Sequence, residues 1–219
     1  MRLSTAEEVV ARRGQTLAGL RIERLDLRGR DLRGTDFAAA RLRRVGFARC
    51  NLQGVRFERL EALGCDFTQA DLADSALLGG ELSHCSFTGA RGAGMQLRRA
   101  QLADCPLTGA DLRGARMRDV EATDCDAAGL RLDKALLLRV RFAAPRLAGA
   151  SLLRARLRGA FLVECDLRSA NLYGADLTGA VLVRTDLSGA CFAEADLTGA
   201  VLIGCRTERA DWSGAHGRT

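Results

Sequence analysis

Residues 174–187 read GADLTGAVLVRTDL. Ala175, Ala180 and Thr185 are small, and Leu177, Leu182 and Leu187 each follow two positions later, so the stretch repeats every five residues. A period of five fits neither the 3.6 of an α-helix nor the alternation of a strand. It fits a chain that turns a corner every five residues and sends two side chains of each unit inward. Within this order Val181 and Val183 are apolar where their neighbours Asp176, Thr178, Asp186 and Ser188 are polar.

The period extends across the chain, and a fixed internal repeat decides the whole architecture. Of the forty positions taken every five residues from Leu17 to Trp212, thirty-five are Leu, Ile, Phe, Met or Trp, with no insertion to shift the register. Two residues before each lies a smaller series, and from Ala150 to Ala210 all thirteen members are Ala, Cys or Thr. The unit therefore has five slots: small, polar, large apolar, variable and Gly-rich. Twenty of the 24 Gly occupy the fifth slot, as corners needing positive φ or close chain approach require.

Stretches such as ANLYGADLTGAVL and GADLRGARM resemble the A(D/N)Lxx units of pentapeptide-repeat proteins over about residues 17–212. The resemblance implies an all-β solenoid, a right-handed quadrilateral parallel β-helix in which four units make one 20-residue coil. About ten coils would then form a rod roughly 48 Å long at the ~4.8 Å strand spacing. The cysteines give an independent check on the coil length. Cys65, Cys85, Cys105, Cys125, Cys165 and Cys205 all occupy the small slot at multiples of 20 residues, preceded by Val45, with Pro145 and Thr185 in the gaps. They read as a structural ladder of compact buried side chains. Without a CxxC pair or ligand spacing to His84 or His216, no metal site is expected. Successive Cβ vectors would run parallel, against disulfide geometry, and the eight cysteines read as reduced and the location as cytoplasmic.

The domain division expected is residues 1–16 as an N-terminal capping helix and lead-in, 17–214 as the β-helix, and 215–219 as a short flexible tail. A solenoid must cover its ends. In STAEEVVARRGQ, Ser4 or Thr5 is the N-cap, Glu7 or Glu8 stands three residues on, and Gly14 is the stop, predicting a helix from Thr5 to Arg13. Val9, Val10 and Leu17 would close the first coil. At the other end Trp212 is expected to plug the last coil and to mark an end-cap or dimer contact. Five units lack a large third residue: Ala62, Gly92, Ala122, Ala127 and Thr207. Stacked Phe47, Phe67 and Phe87 would compensate on the side next to Ala62, and Met95 would fill the space left by Gly92.

No P-loop, GxSxG, HExxH or paired His and carboxylate arrangement occurs, so neither catalysis nor a cofactor is expected. The net charge is +6, and 32 of the 33 basic residues are Arg, the other being Lys134. On a 20-residue coil, Arg56, Arg59, Arg98, Arg99, Arg116, Arg118, Arg139, Arg156 and Arg158 fall on or beside one side. That basic stripe suits an acidic surface, and the lack of aromatics beside it favours protein over nucleic acid.

The apolar break is the sharper signal. Phe161, Val181 and Val201 share one outward slot at 20-residue spacing, and Val163, Val183 and Ile203 share the next. Leu136, Leu138 and Leu153 are further exposed candidates on other sides. Six stacked apolar residues read either as generic strand formers or as a contiguous patch that binds a partner. The expected function is a non-enzymatic protein-protein interaction scaffold or adaptor, with another protein as partner, and a homodimer through the C-terminal end or the apolar stripe as a further expectation. No membrane segment is present in the sequence. The resemblance also implies adaptor or accessory roles in bacterial secretion systems and effector loading. A second implication is DNA-mimicking protection of DNA gyrase or topoisomerase IV against quinolones and other poisons. A DNA mimic needs rows of carboxylates, and here Arg146, Arg206, Arg156, Arg116, Arg91 and Arg131 interrupt the rows formed by Asp166, Asp186, Asp176, Asp196, Asp211, Asp111, Asp71 and Asp31.

Overall fold

An Asp or Asn in the second slot makes its unit a turn. Its side-chain oxygen accepts the backbone N–H of the fourth-slot residue, as Asp36 does from Ala38 at 2.9 Å and Asp176 from Thr178 at 3.0 Å. The third-slot carbonyl then accepts from the next first-slot N–H, as Leu177 does from Ala180 at 2.9 Å, closing a tight turn. The three-residue strands all lack that bond and hold Val, Phe, Leu, Ala, Gln, Glu or Arg in the second slot, although Arg also stands in turn units such as those of Arg56, Arg131 and Arg156.

The computed structural model describes residues 2–3 and 5–217. The chain is a four-sided parallel β-helix. Side I carries Ile22, Leu42 and so on to Leu202 at its third slots; side II runs from Leu27 to Thr207, side III from Leu32 to Trp212, and side IV from Leu17 to Leu197. Ten rungs on side I, from Arg21–Glu23 to Val201–Ile203, are separated by nine full turns. They form one parallel sheet with a 20-residue register, to which Arg2–Leu3 adds an eleventh strand on Arg21–Ile22. On side IV, Ala76–Leu78, Gln96–Arg98, Arg116–Arg118 and Leu136–Leu138 form a second parallel sheet. Sides II and III are held by single bridges at the same 20-residue shift, such as Asp166↔Asp186 and Asn171↔Cys191.

Every fifth-slot residue from Gly14 to Gly214 has positive φ, and twenty-one of these corners carry a side chain, with φ between 48° and 59°. The corner conformation is imposed by the coil, so a side chain there is a local cost that the stacked ladders carry.

The first- and third-slot side chains fill the interior. Leu172, Leu177, Leu182 and Ala180 are fully buried. Phe47, Phe67 and Phe87 stack with 4.9 Å between successive ring centroids and nearly parallel planes, as expected. An ideal Cβ on Gly92 would lie 2.7 Å from Leu112 Cδ2 and 3.4 Å from Met95 Sδ, so those two side chains occupy the missing volume. Compensation is incomplete around Ala122, where an apolar cavity of about 40 Å3 is lined by residues including Leu102, Leu112, Met117 and Phe142.

At the N-terminus the helix is shorter than expected, spanning Ala6–Val10. Thr5 is its N-cap, its hydroxyl accepting the Glu8 N–H at 3.2 Å, while Ser4 lies outside the described residues. Past Val10 the chain tightens to bonds three residues apart, Arg12 to Val9 and Arg13 to Val10, which turn it toward Gly14 and bring Leu17 under the first coil. Val9 is fully buried and Val10 half-buried. The last coil is open by contrast. Its inward Leu202 is 36% exposed, and a concavity of about 450 Å3 is lined by Leu197, Leu202, Cys205, Thr207 and Trp212. Trp212 covers part of it by stacking on Phe192 at 4.4 Å.

Candidate interaction surfaces

The two halves of side I differ in what they present outward. Second-slot residues of the early rungs are charged or amide-bearing, and two pairs bridge neighbouring rungs: Arg41 with Glu61 at 3.0 Å and Arg141 with Glu121 at 3.0 Å. From rung 161 onward the same slot holds Phe161, Val181 and Val201, aligned by the strand register, and the fourth slot holds Val163, Val183 and Ile203. Phe161, Val201 and Ile203 are 44%, 45% and 54% exposed, while Val163, Val181 and Val183 are half-buried between their neighbours. The six form two contiguous rows over three rungs. Leu202, exposed at the open end, meets them at their C-terminal limit.

The arginine stripe lies on side IV, adjacent to side I. Arg116 and Arg118 stand on one rung, Arg156 and Arg158 two rungs on, and the half-buried Leu136 and Leu138 between them. Leu153 is on side III. The stripe is partly neutralised by carboxylates that composition alone hides. Asp119 takes a bidentate pair from Arg139 at 2.7 and 2.9 Å and also contacts Arg118 at 3.5 Å; Arg158 reaches Asp176 at 3.4 Å, and Arg56 reaches Glu58 at 3.1 Å. Arg98, Arg99, Arg116 and Arg156 make no ion pair among the described residues. The Asp119–Arg139 pair was legible in principle as opposite charges 20 residues apart.

The carboxylate rows of sides II and III are similarly engaged. Asp166 pairs with Arg168 at 2.8 Å and Asp111 with Arg113 at 2.7 Å; the hydrogen bond from each Arg holds its Asp below the usual carboxylate range. The Arg33 hydrogen bond brings Asp31 down to about 2. Arg91 and Arg206 lie beside Asp71 and Asp186. Asp211, by contrast, is held only by Ser213 and Cys191, but a row in which most of the other carboxylates face a guanidinium does not present the uninterrupted negative charge of a nucleic-acid backbone.

The cysteine ladder is internal. Cys65, Cys85, Cys105, Cys125 and Cys165 are buried, and Cys205 is half-buried because it belongs to the open last coil. The thiols donate weakly to carbonyls of the coil below, Cys125 to Leu102 O at 3.7 Å and Cys165 to Phe142 O at 3.6 Å, and Thr185 keeps the same pattern with a 3.1 Å bond to Leu162 O. Burial pushes the Cys125 thiol up to about 11 and the Cys165 thiol to about 12, so both stay protonated and unreactive. Among the described residues no helix is long and apolar enough to cross a membrane.

One feature of the surface has no simple signal in composition. Along the corner between sides IV and I, Arg99, Asp119 and Arg139 give way to three successive glycines, Gly159, Gly179 and Gly199. No atom beyond their chain neighbours lies within 4 Å of a Cβ built on Gly179 or Gly199. The bare corner brings the second-slot row of side I next to the fourth-slot row of side IV.

Comparison with known proteins agrees with this geometry. A profile of pentapeptide repeats, in 8 copies, matches residues 23–59, 65–100, 100–137, 135–172 and 162–199. Among solved structures, the chain is similar to HetL, a pentapeptide repeat protein involved in heterocyst differentiation regulation from the cyanobacterium Nostoc sp. strain PCC 7120, at 25% identity and a TM-score of 0.64, over 95% of this chain and 93% of that one. A weaker likeness is to full-length QnrB1, a plasmid-mediated fluoroquinolone resistance protein, at 19% identity and a TM-score of 0.38, over 89% and 92% of the two chains. No curated protein matches. The profile match spans most of the repeats, and the chain belongs to the pentapeptide-repeat family.

Proposed function

We propose that this chain is a non-enzymatic scaffold or adaptor that binds a partner protein through the apolar rows of side I, in the cytoplasm. The observation that carries this reading is the register of Phe161, Val181 and Val201 beside Val163, Val183 and Ile203. Strand formation does not require apolar residues there, because Arg41, Glu61, Glu81 and Glu121 occupy the same slot on equally regular strands. A contiguous apolar patch on a protein surface marks an interaction site. The buried, protonated thiols suit a reducing compartment. Likeness to HetL, whose role is regulatory, is compatible with a scaffold. An accessory part in a secretion or effector-loading system belongs to the same class of function.

A pull-down from the native host with wild type and with Val181→Asp plus Val183→Asp tests the proposal. A protein retained by wild type and lost by the variant is expected. Gyrase or topoisomerase IV retained equally by both would overturn the proposal in favour of topoisomerase protection. The paired carboxylates weigh against that alternative. A second copy, meeting this one at Trp212 and the open end or along the rows, is one candidate partner, and a monomeric mass in light scattering at micromolar concentration would remove it.

A further inference from the structure

We infer that the apolar rows of side I and the arginine field of side IV form one composite site, which takes a single protein segment with apolar residues at one end and carboxylates at the other. This rests on the scaffold reading above and names the chemistry of the partner. The corner at Gly159, Gly179 and Gly199 is where such a segment crosses. On the same rungs the other three corners mix side chains with glycine: Glu164 and Arg184 with Gly204, Ser169 and Arg209 with Gly189, and Glu194 with Gly174 and Gly214. Only between sides IV and I, among the corners of these rungs, are three successive positions all glycine. A cleft of about 380 Å3 opens at the start of the crossing, lined by Asp119, Glu121, Arg139, Arg141, Gly159 and Phe161. Its two carboxylates are already bonded to Arg139 and Arg141, so they do not repel an acidic segment strongly.

Charge supplies the second half of the argument. Side I sets like charges opposite each other, Arg21 by Arg41 and Glu61 by Glu81, yet both of those arginines have a carboxylate, Glu23 at 3.2 Å and Glu61 at 3.0 Å. On side IV Arg98 stands opposite Arg118; Arg118 has Asp119 at 3.5 Å, whereas Arg98 has no ion pair among the described residues and is open to a carboxylate. Arg116 and Arg156 flank Leu136 in register, and neither has an ion pair among the described residues. Guanidinium groups around a leucine fit carboxylates flanking an apolar side chain. Bare nucleic acid would use the arginines and leave the leucines and the apolar rows idle. No aromatic side chain on side IV offers it a base-stacking platform, since Tyr173 stands on side III.

The test uses a library of random 16-residue peptides displayed on phage, selected on the full-length protein, with the enriched peptides resynthesised and titrated by fluorescence anisotropy. Three variants are compared with wild type: Val181→Asp plus Val183→Asp, Arg116→Glu plus Arg156→Glu, and Gly179→Arg. The last adds bulk at a corner whose backbone conformation other arginines of this chain already adopt, such as Arg139 and Arg184, and unchanged circular dichroism verifies folding. The expected result is enrichment of peptides with an apolar run and a carboxylate run, each weakened tenfold or more by all three variants, with added salt weakening them further. Peptides sensitive to the side I variant alone, and indifferent to Gly179→Arg, would overturn the composite site and leave the scaffold reading intact. Peptides indifferent to the side I variant would overturn both. A 20-base-pair duplex bound as tightly as the best peptide, and released only by the arginine variant, would assign the field to nucleic acid and likewise overturn the composite site.

Discussion

The early and late rungs of side I share one backbone. Arg41–Arg43 and Val181–Val183 are both three-residue strands in the same parallel sheet, with the same 20-residue register and the same buried leucine at the centre. Outwardly they have nothing in common: one rung is charged and the other apolar. The coil is specified by what points inward, and second-slot Asp and Asn add turn bonds to it. The outward chemistry is therefore free to vary, and where it becomes coherent over several rungs it records something other than folding.

The inward side of that comparison predicts the largest effects. Leu172→Ala, in a fully packed coil, should cost about 2 to 5 kcal/mol in urea unfolding. Leu112→Ala should cost less, because Leu112 already borders the central cavity and its neighbours Met95 and Leu102 can relax into the space. Equal losses would mean the cavity does not soften its surroundings. A change of the opposite kind sharpens the contrast: Ala122→Val places a branched side chain beside the cavity and should leave stability unchanged or higher, whereas Ala180→Val, in the tight first slot, should cost about 1 to 3 kcal/mol from overpacking.

Turn chemistry gives a smaller effect. Asp176→Ala removes the acceptor of the Thr178 N–H and should cost about 1 kcal/mol, while Glu121→Ala, on an extended rung with no such bond, should stay within about 0.5 kcal/mol. The smallest effect is on pH dependence. Asp31 has a depressed folded-state value, so its contribution is present above the unfolded carboxylate range near 4 and is lost as pH falls through about 2. Arg33→Gln should flatten this acid limb of the stability curve, and because the pair is solvent-exposed the change should be slight, visible only in a direct comparison of acid titrations.

Much of the architecture could be read from residues alone, because the period of five leaves few geometries. Spacing of the cysteines gave the coil length, and the volume of Met95 gave its place beside Gly92. The length of the N-terminal helix was not legible, since its end is set by how the chain must bend to seat Leu17, and Arg12 and Arg13 read as ordinary helix formers. For the candidate surfaces, the apolar rows were legible because register was fixed. Of the neutralised arginines, Arg139 was legible from Asp119 one coil earlier, whereas the contacts of Arg118 and Arg158 were not, because they depend on side-chain reach. The bare corner at Gly159, Gly179 and Gly199 was hidden by the general abundance of glycine in that slot, and its contrast with the other corners emerges only when the rungs are stacked.

The central claim is that the late rungs of side I owe their apolar residues to a partner and not to the fold. Transferring the early pattern onto them, as Phe161→Glu, Val181→Arg and Val201→Glu, tests it most directly, with unfolding and partner retention measured on the same protein. The account predicts stability within about 1 kcal/mol of wild type, as for substitutions away from the core, together with loss of the retained partner. A folded variant that keeps the partner, or a loss of several kcal/mol in stability, would contradict it.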